Sequence, residues 1–240
     1  MKIKQKNKYF SIVIPCETDR VEFLKDLIDI YTKHNNIEIV VPTRTIFPDN
    51  LPDVNVIKYE YKSFGSFPEF FCVSQAWNIG VKNSKYDNII ITGPETIPTT
   101  DAIDQLSALK RGNYVCQVFR QKKKKNNTWF NKSIVNSGFR AGKPSMHFLA
   151  CFKKEDILAV NGWDETFSHG YAHEDEDFGE RFVRAGLEFE VRDEIQAIHR
   201  WHPVPEGLRV KEAKMINRFY FEENIRNKVT FCKKGIIQDG

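Results

Sequence analysis

The stretch Asn161–Gly186, NGWDETFSHGYAHEDEDFGERFVRAG, decides how the rest of the chain is read. It opens on an Asn161-Gly162 turn and sets Trp163, Phe167 and Tyr171 among small and acidic residues. Four acids then run together: Glu174, Asp175, Glu176 and Asp177. Phe178, Phe182 and Ala185 follow at helical spacing. Counting back three from Phe178, or seven from Phe182, puts Asp175 at the head of that apolar stripe, in the first turn of a helix. Acids in a first turn offset the helix dipole and bond its free N–H groups. Four in succession exceed that need, because adjacent like charges repel and some lose solvent. Two readings therefore stand side by side: a charged helix N-terminus, or a carboxylate kept as a base or metal ligand.

Around this stretch, 240 residues give room for one α/β domain over 1–240, with a core at about 9–203 and a C-terminal helix at about 206–229. Hydrophobic residues at 41% and aromatics at 13% exclude general disorder. A net charge of +4 suits an anionic small ligand and gives no reason to invoke nucleic acid. The five cysteines, Cys16, Cys72, Cys116, Cys151 and Cys232, are scattered and odd in number, which fits core thiols in a reducing compartment. The basic N-terminus carries an apolar run too short to span a bilayer, so a soluble, cytoplasmic protein without an anchor of its own is expected.

The runs Tyr9–Pro15, Ile37–Val41 and Val54–Tyr59 read as strands. A helix capped by Thr18 or Asp19 lies between the first two, with Leu24, Leu27, Ile28 and Tyr31 on its buried face. That is the strand–helix–strand pattern of a parallel sheet. A helix within Ser63–Ser84, starting near Pro68, leads into a strand at Asn88–Thr92. Thr99–Lys110 reads as a helix capped by Thr99 or Thr100, and Asn113–Phe119 as a strand. The lysines Lys122–Lys125 read as a solvated tip or as attraction to an anionic acceptor, and Ser133–Ser145 as a long loop. His147–Phe152, Leu187–Val191 and Ile195–Ile198 read as strands, and Lys154–Val160 as a short helix. The tail is expected to fold one helix onto the domain through Val210, Ala213, Met215, Ile216, Phe219, Phe221 and Ile225, and to fray from Phe231.

NGWDE followed by GYAHEDEDFGERFVRAG resembles the NGFDE…GWGGED-x-D signature of the GT-A glycosyltransferases, of the family-2 and galactosyltransferase or chondroitin-polymerase C-terminal types. SIVIPCETDR resembles that family's opening SVVIPxYNR, and AWNIGVKNSKYDNIIITGPETIP resembles its ARNxGIxxAxGDxIxFLDxDxIP. The resemblance implies a Rossmann-like, mainly parallel sheet flanked by helices. It implies a nucleotide-sugar donor, a UDP-sugar first, and a glycan or glycoconjugate acceptor. Asp175 becomes the catalytic base of an inverting transfer, with Glu174 beside it. Pro15, Glu17, Arg20, Arg44 and Asn78 fall on the donor side, and Trp163, Tyr171 and His173 on the acceptor side.

The chain departs from the family at three places. Ala172-His173 replaces Gly-Gly before the acids. Pro42-Thr43-Arg44 replaces an acidic pair, and its arginine could meet a phosphate. Gly93-Pro94-Glu95 replaces Asp-x-Asp. A divalent ion, Mn²⁺ or Mg²⁺, would then rest on Glu95 with His202, and His199 as second choice. The competing expectations are a catalytically impaired nucleotide- or glycan-binding module, a metal-dependent hydrolase, and a transferase that works without metal.

Overall fold

The structure is a computed structural model that describes residues 8–45, 51, 53–60, 67, 70–71, 73–123, 129–134 and 146–237. Pro68, Cys72, Lys124–Asn127 and residues 135–145 of the expected long loop lie outside the described residues.

Among the described residues, nine strands form one sheet: β1 Phe10–Val13, β2 Ile37–Thr43, β3 Val54–Lys58, β4 Asn88–Thr92, β5 Thr96–Pro98, β6 Tyr114–Lys123, β7 Trp129–Ile134, β8 Leu149–Lys153 and β9 Glu190–His199. Their order is β3-β2-β1-β4-β8-β6-β9-β5, with β7 paired to β6. The first four are mutually parallel, as the β-branched runs separated by helical patterns require. β8 enters antiparallel to β4, while β6 and β9 run parallel to each other. The two short strands expected at Leu187–Val191 and Ile195–Ile198 are one strand with an irregularity: Cys116 pairs with Arg192, and the next residue, Gln117, pairs with Gln196.

Alternation along β1 sorts the core into two layers. Phe10, Ile12 and Ile14 pack with Leu24 and Leu27 of α1 (Val21–Tyr31) and with Ile103 and Leu106 of α3 (Ala102–Ala108). Val13 turns the other way, toward Trp77 and Val81 of α2 (Val73–Lys82), Ile157 of α4 (Lys154–Ala159), and Phe178 and Phe182 of α5 (Glu174–Arg184). Each such buried side chain contributes about 1.5–3 kcal/mol. The expected caps differ. Residues Thr18–Arg20 form a 3-10 turn, so α1 starts at Val21 without a side-chain cap, and Asp19 instead accepts from Arg20 Nε at 3.1 Å. α3 is capped by Asp101, which accepts the Asp104 N–H; Thr100 Oγ1 accepts from Gln196 N at 3.1 Å.

α6 (Leu208–Arg226) buries Val210, Ala213, Asn217 and Phe221, whereas Met215 (70%) and Phe219 (60%) stay exposed. A polar residue selects that face: Asn217 Nδ2 donates to the carbonyls of Phe167 (2.9 Å) and Ala172 (2.8 Å), docking the helix beneath the loop before α5. The segment after it does not fray from Phe231. Asn161 Nδ2 donates to Cys232 O (2.7 Å) and Ile237 O (3.1 Å), and its Oδ1 accepts from Ile237 N at 2.7 Å. Cys16, Cys116, Cys151 and Cys232 are buried free thiols. No helix among the described residues is long and apolar enough to cross a membrane.

Candidate active site

The parallel strands β1, β2 and β4 release their chains at one end of the sheet. There Gly93-Pro94-Glu95 makes a tight turn, closed by Thr96 N donating to Gly93 O at 3.1 Å. β5 then pairs with β9, placing Thr96 opposite His199, and Arg200 N donates to Glu95 O at 2.9 Å. Strand pairing thus closes a separation of about a hundred residues. Glu95 Oε1 lies 3.3 Å from His199 Nε2 and 3.6 Å from His202 Nε2, and Arg20 Nη1 lies 3.8 Å from Glu95 Oε2.

One ligand atom from each of Glu95, His199 and His202 lies within 4.8 Å of the others. His202 Nδ1 sits 2.8 Å from Pro203 O, a pure acceptor, so Nδ1 carries the proton and Nε2 presents its lone pair to the cluster. Burial alone would raise the Glu95 pKa. The hydrogen bond and charge of His199, with the charge of His202, outweigh it and bring Glu95 down to about 2. Burial lowers His202, which favours its neutral, ligating form. His199 Nδ1 is buried without a hydrogen-bond partner among the described residues. A carboxylate and two imidazoles with a free lone pair fit a divalent ion, so the residues expected from the sequence do converge.

The acid run lies at the head of α5. Asp175 is mostly buried, and its Oδ2 lies 2.8 Å from His147 Nδ1. Glu174 is pushed up to about 7 by burial and by the Asp175 charge. The most inward acid is not Asp175, as helical counting suggests. Asp177 is 1% exposed and pairs with Arg181, fully enclosed, at 2.7 Å. Asn224 Nδ2 of α6 donates to the other Asp177 oxygen at 2.8 Å. This pairing leaves Asp175, two positions earlier, facing His147 instead of the core.

Ala172 (φ 66°) and His173 (φ 72°) both hold the left-handed conformation, so the backbone shape that Gly-Gly would take is present without glycine. His173 contacts Glu176 at 2.6 Å and stacks on Phe221, with ring centroids 5.7 Å apart. Its ring is therefore engaged by α5 and α6. Burial raises the Tyr171 pKa, and the charges of Glu174, Arg20 and Glu95 also reach its hydroxyl.

Two other expected residues, Trp163 and Asn78, serve the scaffold. Trp163 is 1% exposed and stacks on Phe178 at 4.2 Å, so it offers no face to a sugar. Asn78 is buried as well. Its Nδ2 donates to Trp163 O (2.7 Å) and Glu165 Oε1 (3.0 Å), and its Oδ1 accepts from Trp163 N at 2.9 Å, which fixes the Asn161-Gly162 turn rather than a donor. Glu17 and Arg44 are paired at 3.2 Å across the ends of β1 and β2, and Pro15 is buried at the exit of β1.

Two residues were missed. Trp201, 49% exposed, lies between the two histidines in the chain. Its signal was its place in His199-Arg200-Trp201-His202. His147 had none, lying 28 residues from its partner in no motif. A second group, His34 with Asp101 and Asp104, sits at the opposite end of the strands, where Asp101 serves as the α3 cap.

A family model described as the N-terminal domain of galactosyltransferase matches residues 144–203, which hold both the acid run and the two histidines. No curated protein matches the chain. Among solved structures, the mannosyltransferase PcManGT from Pyrobaculum calidifontis, in complex with GDP-Man and Mn²⁺, is similar at a TM-score of 0.54 and 15% identity, over 92% of this chain and 65% of that one. The chain thus spans less than two thirds of that enzyme's length. The catalytic domain of Drosophila β1,4-galactosyltransferase 7, in complex with xylobiose, is similar at a TM-score of 0.51 and 16% identity, over 88% of this chain and 79% of that one. The chain has the GT-A fold of the glycosyltransferases, and its acid run and histidine pair stand inside the galactosyltransferase-like segment.

Proposed function

We propose that the chain, as one domain, transfers a sugar from a nucleotide-sugar donor to a hydroxyl of a glycan or glycoconjugate acceptor, with inversion. One observation carries this reading. The Glu174–Asp175 pair and the Glu95–His199–His202 cluster share one end of the sheet, with Tyr171 close enough to feel both. Ligands of open α/β sheets bind at that end.

Glu95, His199 and His202 would hold a divalent ion, Mn²⁺ or Mg²⁺, which when bound offsets charge on a diphosphate. Arg20, beside Glu95, adds a fixed positive charge on the same side. Trp201 offers an exposed aromatic face to a sugar ring or base. Asp175 takes the proton of the acceptor hydroxyl as its oxygen attacks the anomeric carbon, and the bond to the diphosphate breaks with its electron pair. Burial and the Asp175 charge favour the protonated form of Glu174, and in that form it can donate a hydrogen bond to the acceptor without adding a second negative charge.

A UDP-sugar is the first donor to test. GDP-mannose is the second, because it is bound in the similar mannosyltransferase. The test is turnover of UDP-galactose, UDP-glucose, their N-acetylated forms and GDP-mannose, each with Mn²⁺ and with chelator. Donor turnover that chelator removes supports the reading. Nucleotide binding without turnover would favour a binding module, and full turnover in chelator would favour the metal-independent version.

A further inference from the structure

His147 stands two residues ahead of β8. Its ring packs at a tilt against those of Trp77, with centroids 5.9 Å apart, and Phe148, at 3.9 Å. Nδ1 lies 2.8 Å from Asp175 Oδ2, and about a quarter of the side chain remains exposed. Asp175 and Glu174 on α5 and Glu95 in the β4–β5 turn are the charged groups that face this imidazole. Burial disfavours its charged form, but the three carboxylates outweigh that and raise its pKa.

A carboxylate in the first turn of a helix has competing partners in the helix's own free N–H groups. His147 supplies a partner from outside the helix. We propose that His147 is the positioning residue for Asp175: its Nδ1–H donates to Oδ2 and fixes the carboxylate plane. The inference rests on the reading of Asp175 as base. In the transfer, the acceptor O–H breaks as its oxygen bonds to the anomeric carbon. The proton passes to the Asp175 carboxylate, the leaving diphosphate carries the electron pair, and the Nδ1 proton stays on His147 throughout.

The test compares wild type, His147→Asn and His147→Ala, using whichever of the five named donors wild type turns over fastest. The Asn amide can occupy the place of Nδ1–H, whereas Ala removes the donor. Expected are a fall in kcat of roughly 10- to 100-fold in the Ala variant, partial rescue in the Asn variant, and a donor KM that changes little. The acid limb of the pH–rate profile should move up by about one unit in the Ala variant, because a carboxylate that loses a hydrogen-bond donor protonates more readily. An unchanged kcat and profile would reduce the contact to packing and overturn the proposal. Loss as deep as in Asp175→Asn, with the acid limb abolished in both His147 variants, would make His147 itself the base and also overturn it. If wild type turns over none of the five donors, the reading of Asp175 as base fails, and the role of His147 fails with it. Nitrogen NMR of histidine-labelled full chain separates that case, since Nδ1 protonation lost on Asp175→Asn shows the contact even where the chemistry is absent.

Discussion

Arg181 Nε lies 2.7 Å from Asp177 Oδ2, one turn apart on α5, with both side chains sealed from solvent. Arg181 Nη1 also donates to Val160 O at 2.6 Å, tying the helix to the strand-side turn that begins the acid loop. Removing one partner leaves a buried charge alone. Arg181→Leu should therefore destabilise the protein by about 3–5 kcal/mol in urea unfolding. A cost under about 1 kcal/mol would show that the pair is hydrated.

The loop ahead of α5 stores backbone strain at Ala172 and His173, both left-handed. Ala172→Gly should stabilise by about 1 kcal/mol, since only the β-carbon opposes that conformation. The neighbouring Gly170 behaves oppositely. A β-carbon there would stand 2.3 Å from Ala213 O and 2.5 Å from Asn217 Oδ1, so Gly170→Ala should push α6 off the loop and cost about 1–3 kcal/mol. Thermal unfolding of the two variants should move in opposite directions; a common direction would contradict the packing described.

Glu174 gives stability a pH dependence of defined sign. Its ordinary value of 4.5 rises to about 7 in the folded protein, first through burial and then through Asp175. Below pH 4.5 it is neutral folded or unfolded. Between 4.5 and 7 the unfolded chain ionises it while the fold keeps the proton, so stability falls as pH rises. Glu174→Gln has no such cost. Its advantage over wild type should be absent at pH 4, grow through that window, and level off above pH 7 at on the order of 1–3 kcal/mol. A pH-independent difference would mean that Glu174 is solvated.

The sheet and the metal-type cluster were legible because both follow chain order. Apolar runs broken by helical spacing mark β1 to β4, and the motif resemblance already singled out Glu95, His199 and His202, which the fold brings together. The acid run was legible as a site, but its geometry was not. Helical counting put Asp175 innermost, and the partner Arg181, one turn on, drew Asp177 inward instead. Trp163 and Asn78 read as ligand contacts because an aromatic or an amide near a motif suits packing as well as binding. Only their long-range partners, Phe178 and the Trp163 backbone, decide it. Asn161 likewise holds the last turns of the chain through bonds that span more than 70 residues, which no local pattern announces.

The most direct measurement on the central claim is transfer by Asp175→Asn, paired with calorimetry of UDP and GDP in Mn²⁺. The substitution keeps the size of the side chain and removes its basicity. Transfer should fall by roughly 10²–10⁴-fold while nucleotide binding stays within about twofold of wild type. Turnover by Asp175→Asn at the wild-type rate would contradict the account.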